Sequence, residues 1–178
     1  MNQVEPWLRG TLTDVPVLQR AVLHALELAQ EDLTHWCGGL NDEQINSQPA
    51  GLPSVAFHIR HIAGSIDRLL TYAEGKSLTP AQLANLQTES SPAVTREELF
   101  DELALALNDA SSRIRSFAED SLNQPRTVGR KLMPTTVGGL LIHVAEHSLR
   151  HVGQAITTAK IVVAQDHRGQ RSQHAILA

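Results

Sequence analysis

Apolar residues recur at three- and four-residue intervals in four separate stretches, the spacing that gathers them on one face of a helix. In the first, Val15, Leu18, Val22, Leu26, Ala29, Leu33 and Trp36 predict a helix over about 14–37. Asp14 is its expected N-cap, Pro16 falls in the first turn where a missing N–H costs nothing, and Gly38–Gly39 ends it. Pro53 and Ser54 open a second helix, about 53–74, with Val55, Ile59, Ile62, Ile66, Leu69 and Leu70 on one face and Gly75 beyond its end. Thr95-Arg-Glu-Glu98 is a capping box. The apolar series Leu99, Leu103, Ala106, Leu107, Ala110, Ile114 and Phe117 behind it predicts a third helix over about 95–121. A fourth starts at Thr135–Thr136 and runs to about Ala164, leaving a polar end at 165–178.

The segments between these helices set the architecture. Residues 39–52 are polar, with a short helical turn expected at Asp42–Ile45. Residues 75–94 form a long connection with a short helix expected at Pro80–Leu86, and a link of this length suits a crossover better than a tight turn. Residues 122–134 carry Pro125, Gly129 and Pro134, with Arg126–Leu132 expected to be extended but no strand pair predicted. Residues 1–13 are expected to drape across the helices. The fold class is therefore all-α: a four-helix bundle with up-down-down-up topology and a long crossover between helices two and three. One domain is expected to span residues 1–178.

Composition adds exclusions. A chain of 178 residues with 42% hydrophobic and 19% charged content is able to bury a core, about 70% of its unfolded surface at this size. A formal net charge of −4, with no basic cluster along a face, speaks against nucleic acid as a partner. Cys37 is the single cysteine, so no intrachain disulfide forms, and its simplest role is that of a small buried side chain. The first residues lack a signal-peptide pattern, and no apolar run approaches the roughly 20 residues that cross a bilayer, so a cytoplasmic protein without a membrane partner is expected.

The unusual feature is histidine: nine residues, five of them in two short stretches. His143, His147 and His151 are spaced by four in the fourth helix. At about 100° per residue, His147 and His151 lie about 40° apart on the apolar stripe that carries Leu140, Val144, Ala155 and Thr158. In the second helix, His58 and His61 are three apart, with Ser65 one turn on. Buried imidazoles need partners for their ring nitrogens. A single core histidine commonly finds a hydrogen bond; two pairs on two helices point to a divalent metal held between facing helices. His143-Val-Ala-Glu146-His147 also matches H-x-x-E-H, an inverted zinc-peptidase pattern. That pattern expects a further acid downstream, where only Asp166 is present, and Glu146 lies about 100° off the stripe. Glu146 is better read as a solvated or salt-bridged residue, and Trp7 and Trp36 as core residues rather than pocket walls.

The run P-S-V-A-F-H-I-R-H-I-A-G-S at Pro53–Ser65, together with H-x-x-x-H-x-x-x-H-x-G-Q at His143–Gln154, resembles the DinB-like superfamily over about Asp14–Ala164. The resemblance implies an up-down-down-up bundle, a homodimer, and a divalent metal held by three histidines. Carried onto this sequence, the ligands are His61, His147 and His151. His58, His143, Ser65 and Gln154 remain as residues behind the ligands or lining a pocket.

Three neutral imidazoles leave a +2 charge uncompensated and at least one position open, where a thiol or a water would be deprotonated. The resemblance implies thiol-dependent S-transferases among the relatives. The first expectation is therefore a metal-dependent transferase acting on a small-molecule substrate with a low-molecular-weight thiol as cosubstrate. The alternatives are a metal-dependent hydrolase using water, or a non-enzymatic stress-response metal-binding protein, which would close the shell with His58 or His143. Imidazole ligands suit zinc, nickel and iron alike.

Overall fold

Helix α1 spans Val17–Cys37, and its buried face carries Val22, Leu26, Ala29 and Leu33, as the periodicity predicts. Its start differs from expectation: Pro16 is the N-cap residue, with no side-chain cap, and Asp14 is exposed with a carboxylate oxygen 3.9 Å from Arg115. In the computed structural model the described residues are 4–90 and 94–176, with side chains as far as Asp166; of the polar end at 165–178 the backbone is described to residue 176.

Five further helices follow. The short α2, Asp42–Asn46, is fixed by a capping box between Asn41 and Gln44. Helix α3, Val55–Ala73, is capped by Ser54, whose side chain accepts from the Phe57 N–H. Gly75, at φ 76°, then takes the left-handed conformation that lets the chain leave the helix. Helix α4, Pro80–Thr88, lies within the crossover and has a capping box between Thr79 and Gln82. Helix α5, Arg96–Ser116, has the expected Thr95–Glu98 box but stops short of residue 121, because Phe117 is extended and Glu119–Ser121 form a 3₁₀ turn. Helix α6 runs from Val137 to Ile176, well past residue 164. No proline interrupts residues 165–176, and the single Gly169 costs only about 1 kcal/mol in a helix.

Cross-links between helix ends give the direction of each. Gln19 at the start of α1 donates to the Phe117 carbonyl after α5, while Arg96 at the start of α5 donates to the Gly38 carbonyl after α1. Helices α1 and α5 are therefore antiparallel. Arg113 of α5 bonds Asp67 and Glu74 of α3, and Arg60 of α3 meets Glu102 of α5, so these two run parallel. The Thr158 hydroxyl of α6 donates to the Pro53 carbonyl just before α3, which makes α3 and α6 antiparallel. With α1 up, α3 and α5 run down and α6 up, the expected four-helix bundle topology. Gln82 holds the crossover to α3, its amide donating to Asp67 Oδ2 and Thr71 Oγ1, both at 2.8 Å.

Two expectations need correction. Residues 125–136 form a hairpin: β1, Pro125–Val128, pairs antiparallel with β2, Met133–Thr136, with Thr127 opposite Pro134. Four-residue strands show too little alternation to read, and two prolines argue against pairing. In a two-stranded sheet each strand has a free edge, so proline is tolerated there. The tryptophans are not core residues. Trp7 is 62% exposed, its indole N–H donating to Glu5, and Trp36 is 44% exposed beneath the Lys160 ammonium, 3.9 Å from the ring centroid. The aliphatic stem of Lys160 and the ring cover each other on the surface between α1 and α6.

The core lies where the four long helices meet, with Leu33, Ile59, Ile62, Leu99, Ile114 and Leu141 fully buried. No helix among the described residues is long and apolar enough to cross a membrane. Neighbouring residues of α6 provide a test of the seam: Leu141 is fully buried, whereas Ile142 is 52% exposed. Leu141→Ala is expected to lower unfolding free energy by about 2–5 kcal/mol, and Ile142→Ala by under about 1, measured by urea denaturation. Equal losses would contradict this orientation of α6.

Candidate metal centre

Ser54 fixes the start of α3, and His58 and His61, three residues apart, both meet histidines of α6. On α6, the four-residue step stacks His147 above His151 on the stripe that meets α3. Because the helices are antiparallel, His61 comes level with His147, and His58 level with His151. The ring centroids of His61 lie 5.1 Å from those of His147 and 4.4 Å from those of His151, and the latter two are 4.6 Å apart. One ring nitrogen from each of His61, His147 and His151 lies within 4.8 Å of the others, and this is the group of three able to hold a metal ion among the described residues.

The hydrogen bonds around this trio are uneven. His61 Nε2 is 3.0 Å from His147 Nε2, while His61 Nδ1 is 2.7 Å from a carboxylate oxygen of Glu89. Arg68 donates to the other oxygen of Glu89 at 2.6 Å. His151 Nδ1 is 3.1 Å from Nδ1 of the buried His58. His147 Nδ1 is buried with no hydrogen-bond partner. It is Nε2 of His147 that meets His61, and one ring nitrogen from each of three imidazoles on two helices is a donor set that fits a divalent cation.

His143, by contrast, is on the exposed flank of α6, with Nδ1 2.7 Å from Glu146. Glu146 is itself exposed and 3.5 Å from Arg150, so it is a salt-bridged surface residue and not a base facing the trio. Ser65 is buried, and its hydroxyl donates back to the Ile62 carbonyl of its own helix. Gln154 lines a cleft of about 500 Å³ with Leu52, Pro53, Phe57, His58 and His151. This cleft reaches His58 and His151, and Phe57 at its wall stacks on His61 with planes 12° apart. Cys37 is fully buried, and burial pushes its thiol up to about 12, so it offers no nucleophile. Glu89 and Arg68 are the residues that pattern reasoning misses: Glu89 sits at the end of α4 in the crossover, and only the fold brings it to His61.

Burial disfavours the charged form of three of these rings, His58, His147 and His151. Burial, then the charges of His151 and His61, lower His58 to about 4. Burial and the neighbouring His151, His61, His143 and Arg150 likewise lower His147 to about 4. His151 is lowered by burial, His61 and Arg150, with Glu89 opposing. Glu89 is pushed up by burial, but the hydrogen bonds from His61 and Arg68 outweigh this and hold it below the usual carboxylate range.

Between about pH 6.5 and pH 4 the unfolded chain takes up protons that the native histidines refuse. Their neutral burial is therefore fully compatible with folding above about 6.5 and becomes progressively destabilising below it. The metal-free protein is expected to have a lower urea midpoint at pH 5 than at pH 7, and His58→Gln to flatten that slope. An unchanged slope in His58→Gln would contradict the placement of His58 as a neutral buried ring.

The DinB superfamily model matches residues 25–155. No curated protein matches the chain. A conserved protein from Enterococcus faecalis is 22% identical with a TM-score of 0.63, the alignment covering 82% of this chain and 97% of that one. A DinB-like protein from Bacillus cereus is 14% identical with a TM-score of 0.62, over 78% of this chain and 89% of that one. YfiT from Bacillus subtilis, described as a probable metal-dependent hydrolase with an unusual four-helix bundle topology, is 12% identical with a TM-score of 0.63, over 80% and 86%. At such identities the solved structures show the fold alone. The superfamily match itself takes in well over half of the sequence, both histidine-bearing segments included, and the chain belongs to the DinB superfamily.

Proposed function

We propose that His61, His147 and His151 hold one divalent metal ion, and that the protein uses it to activate a low-molecular-weight thiol for transfer to a small electrophilic substrate. The observation that carries this reading is the convergence of three imidazole nitrogens within 4.8 Å, from two helices. Neither His58 nor His143 joins that group among the described residues, so three protein ligands leave at least one position for an exogenous ligand. A divalent ion bound there would act as a Lewis acid, lowering the pKa of a thiol or water at the open position.

The chain's own residues define what reaches that position. The cleft of about 500 Å³ has the size of a small-molecule site, with Leu52, Pro53 and Phe57 as an apolar wall and Gln154 as a neutral hydrogen-bonding group. No lining residue is a carboxylate, so the negative charge of a thiolate meets no repulsion there. Hydrolysis, with water as the nucleophile, is the second reading, and it is favoured by the description of the Bacillus subtilis relative as a probable metal-dependent hydrolase.

Metal analysis of protein purified without a nickel column tests the ligand set. Wild type is expected to carry about one ion per chain, and His61→Ala, His147→Ala and His151→Ala each to lose most of it. His143→Ala is expected to keep it. Full occupancy in any of the first three removes that residue from the site. The reaction is tested by adding thiols to the cobalt-substituted protein: a new sulfur-to-cobalt charge-transfer band supports thiol activation. Its absence with every thiol tried, alongside an intact cobalt site, overturns the transferase reading in favour of hydrolysis.

A further inference from the structure

We infer that Glu89, delivered by the crossover and clamped by Arg68 over Gly64, is the positioning residue that fixes which nitrogen His61 presents to the metal centre. The inference deepens the proposed three-histidine site and rests on it for its metal-binding consequence.

A carboxylate accepts hydrogen bonds and cannot donate them. Glu89 is ion-paired with Arg68 through Oε1, so Oε2 serves as an acceptor and the 2.7 Å contact places the proton on His61 Nδ1. In the neutral ring, Nε2 then keeps a bare lone pair, on the side where His147 and His151 lie. Glu89 thus sets both the tautomer and the plane of His61. A metal-bound imidazole is commonly held in this way from behind, which raises its basicity as a ligand.

The carboxylate does not stand alone. Glu89 is 6% exposed and Arg68 8%, and their 2.6 Å bond leaves one oxygen for Arg68 and one for His61. Burying such a pair is costly unless its geometry is well determined. Here the determinant is Gly64, one turn on from His61. A Cβ at that position would come within 2.6 Å of Glu89 Oε1 and 2.7 Å of Arg68 Nη1. The position is helical with no positive φ, so glycine serves there for space and not for backbone freedom. The same ion pair fastens the C-terminal end of α4 to α3, next to the Gln82 bonds to Asp67 and Thr71. Metal binding at His61 and docking of the crossover therefore share one carboxylate, and each is expected to favour the other.

Two variants separate this role from a purely structural one. Glu89→Gln keeps the shape and removes the charge. Gly64→Ala leaves every charged residue in place, improves helix propensity, and displaces the ion pair. Zinc affinity, measured by competition with a chromophoric chelator, is expected to fall about 10–100-fold in both, with urea midpoints read in parallel. Glu146→Gln serves as the exposed acidic control and is expected to stay within about twofold. Amide exchange over Pro80–Thr88 is expected to slow on adding zinc to wild type and not to Glu89→Gln. Zinc affinities of both variants within about twofold of wild type overturn the inference.

A readout without metal keeps this test distinct from that of the site itself. In the metal-free protein, ¹⁵N NMR of His61 is expected to show a single Nδ1–H tautomer in wild type and a mixture in Glu89→Gln. A mixed tautomer in wild type overturns the positioning role whatever zinc does. A wild type that binds no zinc but keeps the single tautomer refutes the metal reading and leaves the orientation of His61 by Glu89 standing.

Discussion

Four imidazoles are packed between α3 and α6, and much of the molecule is arranged around that crowding. The neighbouring rings among His58, His61, His147 and His151 have centroids 4.4–5.3 Å apart, so a charge on one is felt by the next in a poorly solvated seam. Burial and mutual repulsion keep His58 and His147 neutral far below neutral pH. Neutral rings are good metal ligands but poor company for each other, since each needs a donor and an acceptor among atoms that offer few. The unpartnered Nδ1 of His147 is where that shortage shows. A cation held by the trio would relieve the crowding of ring nitrogens on the other side, where Nε2 of His61 and Nε2 of His147 are 3.0 Å apart.

The topology follows the same logic. Placing α3 antiparallel to α6 brings an i, i+3 pair level with an i, i+4 pair, so the clustered histidines come from two rigid elements rather than from loops. Running α5 parallel to α3 then demands a crossover the length of the bundle, and that crossover is what delivers Glu89. The connection is thus part of the site as well as a link. Its charge, behind His61, favours a cation, and Arg68 keeps it from being a free acid in the core.

How much of this was legible in the sequence depends on how local each signal is. The four long helices, the Thr95–Glu98 capping box and both histidine pairs are encoded within one or two turns, and the pattern of Pro53–Ser65 and His143–Gln154 points to the right superfamily. His61, with His147 and His151, was separable from His58 only through the family pattern, because spacing alone puts both rings on the same helix face. Glu89 was not legible at all: it stands in a stretch without periodicity, 28 residues from His61, and is joined to it only by the fold. Gly64 looked like an ordinary small residue until the ion pair above it was seen. The hairpin at 125–136 was hidden by its prolines, and the two tryptophans misled because large apolar rings are usually buried, whereas here each has a polar partner at the surface.

The central claim is that three imidazoles, and no more, hold a metal ion between α3 and α6. X-ray absorption at the zinc edge on protein reconstituted with one equivalent of zinc measures this directly. The account predicts scattering from three imidazole rings with Zn–N distances of about 2.0–2.1 Å, completed by light-atom exogenous ligands that a thiol is able to replace with sulfur at about 2.3 Å. A shell of four imidazoles, or one made of carboxylate oxygens with fewer than three imidazoles, would contradict it.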